Sequence, residues 1–160
     1  MNFFIGIDPG KTGAVVTIDG LERIQHEYCF DCQDSIDENS GHLDNIKYSL
    51  GGSILGCCLE KVHAMPKQGV KSVWTFAENF SMWKTLLTVQ CLPFELVTPQ
   101  AWMKGLIKPS DHVKLKKRGL TVCRRKYPKD PLFRLEKHDG RADAALMAVH
   151  IKRKVMGVIS

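Results

Sequence analysis

The chain opens on an apolar run, residues 3–7 (FFIGI), that reads as a buried strand. Asp8-Pro9-Gly10-Lys11-Thr12-Gly13 is a turn, residues 14–18 are a second apolar strand, and Asp19-Gly20 is another turn signal. Residues 25–30 extend this to a meander of three strands. The polar, acidic stretch 31–40 reads as a loop, and 43–50 as a short helix closed by Gly51-Gly52. Residues 53–59 are again continuously apolar, the pattern of a central strand covered on both faces, and they end at Glu60. Residues 61–69 carry Pro and Gly and read as a loop. Val73, Phe76, Ala77, Phe80, Trp83 and Leu87 recur at helical spacing and predict a long helix over 71–89. A short strand follows at 94–97. Thr98-Pro99 then looks like an N-cap with Pro at the first helical position. Ser110-Asp111 can cap a helix running to about Lys126 with Gly119 inside it, and 128–136 is a polar connector. The last helix spans about 139–155, with Ala142, Ala145, Leu146 and Val149 as its apolar face. Strands first, then helices alternating with strands, predict an α/β fold: a mixed sheet flanked by helices.

Length narrows this picture, because 160 residues suit one domain able to bury a full core without disulfides. With 44% hydrophobic and 25% charged residues the composition is that of a soluble protein; no span or leader is evident, so no membrane partner and a cytoplasmic setting are expected. Charge changes the picture more. Residues 1–60 carry −7 and residues 61–160 carry +13, which points the C-terminal part at a polyanion, unless it is simply a solvated basic surface. Of the six cysteines, Cys29 and Cys32 form one CxxC pair with no second pair at zinc-site spacing; reduced, buried thiols are expected, with a structural zinc as the minor alternative. Cys57 and Cys58, adjacent in a strand, should point to opposite faces.

Candidate chemistry lies in four carboxylates. Asp8 and Glu60 each end a buried strand, and alone each has a plain reading, as a turn Asp or as the strand's exposed tip. Asp139 and Asp143 are more informative. At i and i+4 they share one helix face, beside the apolar stripe, where like charges repel unless a cation offsets them. Asp139 is also a plain N-cap candidate. Acids gathered from distant positions suit two hard divalent ions about 3.5–4 Å apart, an arrangement that drives in-line phosphodiester hydrolysis.

Together these segments resemble the RuvC-like Holliday-junction resolvases, the crossover junction endodeoxyribonucleases, most of all those of phages, large viruses and plastids. The blocks that carry the resemblance are IGIDPGKTGAVV at 5–16, LEKVHAMPKQGVKS at 59–72, LVTPQAWMKGL at 96–106 and KHDGRADAALMA at 137–148. The resemblance implies a ribonuclease-H-like, five-stranded mixed sheet in the order 3-2-1-4-5. It also implies a symmetric homodimer that nicks opposing strands of four-way or other branched DNA, with two Mg²⁺ ions (Mn²⁺ substituting) held by Asp8, Glu60, Asp139 and Asp143. Bacterial members space the last two ligands i, i+3; here the spacing is i, i+4, and position 140 is Gly, so His138 stands as the alternative to Asp139. Lys61, His63, Lys67, Gln68 and Lys71 would flank the scissile phosphate. Lys114, Lys116, Lys117, Arg118, Arg124 and Arg125, with Lys126, would form a sequence-neutral phosphate surface, and Trp74 or Phe76 could stack on a base at an opened junction, although core packing is the simpler role for Phe76. A branched-DNA-binding protein of the same fold without cleavage is the competing reading. An actin-like or sugar-kinase phosphotransferase shares the Asp-turn-Gly start but needs two such subdomains, so no nucleotide cofactor is expected.

Overall fold

The computed structural model describes residues 1–61 and 69–159. Its sheet has five strands in the order β3-β2-β1-β4-β5: β1 (Phe3–Ile7), β2 (Ala14–Asp19), β3 (Phe30–Asp31), β4 (Ile54–Glu60) and β5 (Phe94–Val97). β1 pairs antiparallel with β2 and parallel with β4, and β4 pairs parallel with β5. The helices are α1 (Ile36–Leu50), α2 (Val70–Val89), α3 (Pro99–Met103), α4 (Leu115–Lys126) and α5 (Asp139–Val155).

The strands alternate between two apolar layers, as their period of two requires. Ile5, Ile7, Val15, Cys57 and Leu59 face a layer closed by Leu43 and Ile46 of α1 and by Trp83, Leu86 and Leu87 of α2. Phe4, Val16, Ile18 and Cys58 face the opposite layer, built on α5 with Leu120 and Cys123 of α4 and Trp102 of α3. Cys57 and Cys58 therefore do point to opposite faces, and all six cysteines are free thiols. α5 is buried along nearly its whole length because its small residues let it lie directly on the sheet. A Cβ on Gly6 would stand 1.9 Å from the Ala144 carbonyl oxygen, so β1 and α5 touch backbone to backbone.

Several elements differ from the sequence reading. α1 begins seven residues earlier than expected, at Ile36, where Ser35 caps it by accepting from the Glu38 amide. The second half of the loop expected at 31–40 is thus helix. The third strand is only Phe30–Asp31, since His26–Tyr28 forms a 3₁₀ turn that Thr17 Oγ1 anchors by donating to the Tyr28 carbonyl at 2.8 Å. Ser110-Asp111 does not cap α4. Asp111 turns back to accept from the Lys108 amide, and α4 starts at Leu115. The connector at 128–136 contains a 3₁₀ turn whose Phe133 is core. The first turns of α2 cover no sheet: Val70 and Trp74 are exposed and Phe76 is half-buried. Among the described residues, no helix is long and apolar enough to cross a membrane.

Candidate active site

The parallel pairing of β1 with β4 places Ile7 opposite Leu59, so Asp8 and Glu60 leave the same edge of the sheet side by side. The Asp8 amide donates to the Ala14 carbonyl, and the Gly10 amide donates to Asp8 Oδ1 at 3.0 Å, which holds the carboxylate inside its own turn. Gly13 permits that turn, because a Cβ there would stand 2.0 Å from the Asp8 carbonyl oxygen. α5 begins over this edge. A Cβ on Gly140 would lie 2.2 Å from the Thr12 carbonyl oxygen and 3.1 Å from Asp8 Oδ2, so the first turn of α5, with Asp139, sits against the Asp8 loop. One turn on, Asp143 faces α4 at Gly119, where a Cβ would come within 2.3 Å of Asp143 Oδ1. A glycine inside a helix lowers its stability by about 1 kcal/mol; here it makes room for a carboxylate.

The four acids repel one another in a partly desolvated pocket. Burial, then repulsion from Asp8, pushes Glu60 up to about 7, against a hydrogen bond from Trp102 that favours its ionised form. Asp143 is driven well above the usual carboxylate range by burial and by Asp8, Glu60 and Asp139 together. Asp8 is also raised, by burial first and by Asp139, with the Gly10 amide and Lys116 opposing. Two protein donors take up part of this unmet negative charge: Lys116 Nζ lies 3.1 Å from Asp139 Oδ2, and Trp102 Nε1 donates to Glu60 Oε1 at 2.9 Å.

Four hard oxygen donors short of counter-charge fit Mg²⁺, and the thiols do not, since burial pushes Cys29 up to about 12 and raises Cys32 and Cys123 as well. Among the described residues no three His, Cys, Asp or Glu side chains are grouped closely enough to hold one metal ion together. Mg²⁺ does not require such a group, because it keeps several waters and binds through one or two carboxylates. His138, the alternative ligand, is turned elsewhere: it is buried beside Arg141, 3.3 Å from its guanidinium, and Asp31 holds that guanidinium through two 2.6 Å bonds.

The basic residues divide into two groups. Lys116 reaches the carboxylates, and exposed Lys114 begins the same helix. Lys61 follows Glu60 directly, exposed, with its amide donating to the Val97 carbonyl. Lys71 and Phe76 line a cavity of about 280 Å³ with Lys11, Ser72, Thr75 and Asn79, whereas Trp74 does not. Farther along α4 the charges serve the chain itself. Arg124 donates to the carbonyls of Phe133 and Arg134 and to Glu136, Arg125 pairs with Asp111, Arg118 donates to the His112 carbonyl, Lys117 binds Glu136 and Lys126 binds Glu22. Arg124, Arg125 and Lys126 stay exposed all the same, so α4 presents basic side chains to solvent at both ends, those at its C-terminal end also tied to acids of the chain. His63, Lys67 and Gln68 lie outside the described residues. Sequence reasoning missed Lys11 and Trp102. The first was signalled by its place three residues after Asp8; the second had no local signal, since its partner is 42 residues away.

The sheet order and its helical cover match those of two solved RuvC structures from Thermus thermophilus. One is RuvC in complex with a Holliday junction substrate: TM-score 0.65, 15% identity, over 98% of this chain and 97% of that one. The other is a RuvC structure with TM-score 0.56 and 16% identity, over 97% and 96% of the two chains. The fold is ribonuclease-H-like. No protein-family model and no curated protein matches the chain.

Proposed function

We propose that this protein is a Mg²⁺-dependent, structure-selective endonuclease that resolves four-way and related branched DNA junctions, acting as a homodimer that leaves paired symmetric nicks. The observation that carries the reading is the convergence of Asp8, Glu60, Asp139 and Asp143 from β1, β4 and α5 on one sheet edge, with too little positive charge around them. The likeness in fold to RuvC, which in one structure is bound to a Holliday junction substrate, supports the substrate class. A two-fold enzyme suits a two-fold junction.

Asp8, Glu60, Asp139 and Asp143 would hold two divalent ions, which when bound supply polarisation of the scissile phosphate and an activated water. The chain's own residues set the stage for that chemistry. Gly10 and Trp102 orient the Asp8 and Glu60 carboxylates, and Gly119 leaves space for Asp143. Lys116, ion-paired to Asp139, is placed to exchange that carboxylate for a DNA phosphate once cations neutralise the acids. Lys11, Lys61, Lys71 and Lys114 attract the neighbouring backbone in a salt-dependent, sequence-neutral way. The half-buried Phe76 offers a flat face to an unpaired base at the cavity it shares with Lys11 and Lys71.

A labelled synthetic four-way junction tests the reading. With Mg²⁺, and with Mn²⁺ in its place, nicks are expected in two opposing strands. Asp8→Asn and Asp143→Asn should abolish them while junction binding persists. Binding without any cleavage in either metal would instead establish a branched-DNA-binding module.

A further inference from the structure

Glu60 is held by a residue that the carboxylate chemistry does not by itself demand. Trp102 lies on α3, only five residues long, yet fixed at its start: Thr98 Oγ1 accepts from the Ala101 amide, Pro99 occupies the first helical position, and the Trp102 amide donates to the Thr98 carbonyl at 3.2 Å. The helix follows β5 directly, and β5 pairs with β4 up to the Glu60–Val97 pair. The strand register thus delivers α3 over the end of β4. Trp102 is 2% exposed and packed in the same apolar layer as α5, so its indole has little freedom to turn.

An indole N–H only donates. The buried Trp83 Nε1 has no hydrogen-bond partner among the described residues, whereas Trp102 Nε1 has one. It finds Glu60 Oε1 at 2.9 Å, and among the described residues Trp102 is the one side chain that hydrogen-bonds Glu60. The geometry points to Trp102 as the positioning residue for Glu60: its N–H fixes one carboxylate oxygen and leaves the other for a divalent cation. The assignment rests on the metal-site reading above. Partners that orient a metal's ligands in this way typically control affinity by 10- to 100-fold. A Trp kept only for its bulk would not.

Trp102→Phe removes the N–H and keeps an aromatic ring in the core. Mn²⁺ alone, titrated calorimetrically into wild type and W102F, should bind about 10- to 100-fold more weakly to the variant. Junction binding in EDTA should be unchanged, and excess metal should recover much of the cleavage. Equal Mn²⁺ affinity in the two proteins overturns the role given to Trp102 and leaves the nuclease reading standing; wild type that takes up no Mn²⁺ overturns both. Should W102F not fold, wild type still decides. The Trp102 indole N–H resonance, assigned by triple-resonance NMR, should shift as Mg²⁺ is added, and a resonance that stays in place refutes the assignment.

Discussion

Replacing Glu60 by Gln removes one charge from the carboxylate pocket and keeps an oxygen to accept from Trp102. Without metal, ionised Glu60 is a burden on the fold, because burial and Asp8 lift it from 4.5 to about 7. An acid raised on folding keeps its proton in the native state at pH values where the unfolded chain has lost it. The unfolded state then binds fewer protons, and stability falls as pH rises from about 4.5 to 7. A difference of about 2.5 pH units corresponds to on the order of 3 kcal/mol at pH 8, shrinking to under about 1 kcal/mol at pH 5. Metal-free E60Q should therefore be more stable than wild type at pH 8 by up to about 3 kcal/mol, or roughly 6–12 °C in Tm, with most of the gain gone at pH 5. Asp8 and Asp143 titrate in the same direction, and His138 and His150, held low by burial, oppose them. The histidine contributions cancel between two proteins that differ only at Glu60, whereas Asp143, which Glu60 helps to raise, moves back toward the ordinary carboxylate range in E60Q and adds to its gain at pH 8. The assay is urea unfolding of both in EDTA at pH 5 and pH 8, followed by junction cleavage in Mg²⁺, which E60Q should lose. A variant with the same stability difference at both pH values, or one less stable at pH 8, would refute the claim that Glu60 sits in an unneutralised acidic pocket.

Other outcomes follow from particular contacts. Gly119→Ala should cut cleavage at least 10-fold by displacing Asp143, while unfolding changes by no more than about 1 kcal/mol because the helix gains propensity; urea titration beside a cleavage assay checks the split. Gly6→Ala forces β1 and α5 apart and should cost about 3 kcal/mol or more in urea unfolding. Lys116→Met should weaken junction binding and reduce the slope of log affinity against log salt by about 0.9, whereas Arg124→Met should lower Tm with little change in that slope.

The sheet was legible because its central strands β1, β2 and β4 are buried and almost wholly apolar. β1, β4 and β5 end within a residue of where the pattern put them, and the 3-2-1-4-5 order follows the resemblance. α5 was legible from its stripe and Thr98-Pro99 from its capping chemistry. The polar start of α1 hid a helix because that helix buries only Asn39, Leu43 and Ile46, too few for periodicity to register, although Ser35 and Glu38 stand at capping spacing. At the candidate site, sequence pattern singled out the acids but not what holds them. Trp102 on Glu60, Gly119 beside Asp143 and the internal partners of Arg124 are contacts between distant segments, fixed by how α3, α4 and α5 pack.

The most direct test uses a supercoiled plasmid that extrudes a cruciform, incubated with the protein and Mg²⁺. Four acids serving a two-fold junction enzyme predict linear product from paired nicks at the cruciform base, lost in Asp143→Asn. An untouched plasmid, or linear product undiminished by Asp143→Asn, would contradict the account.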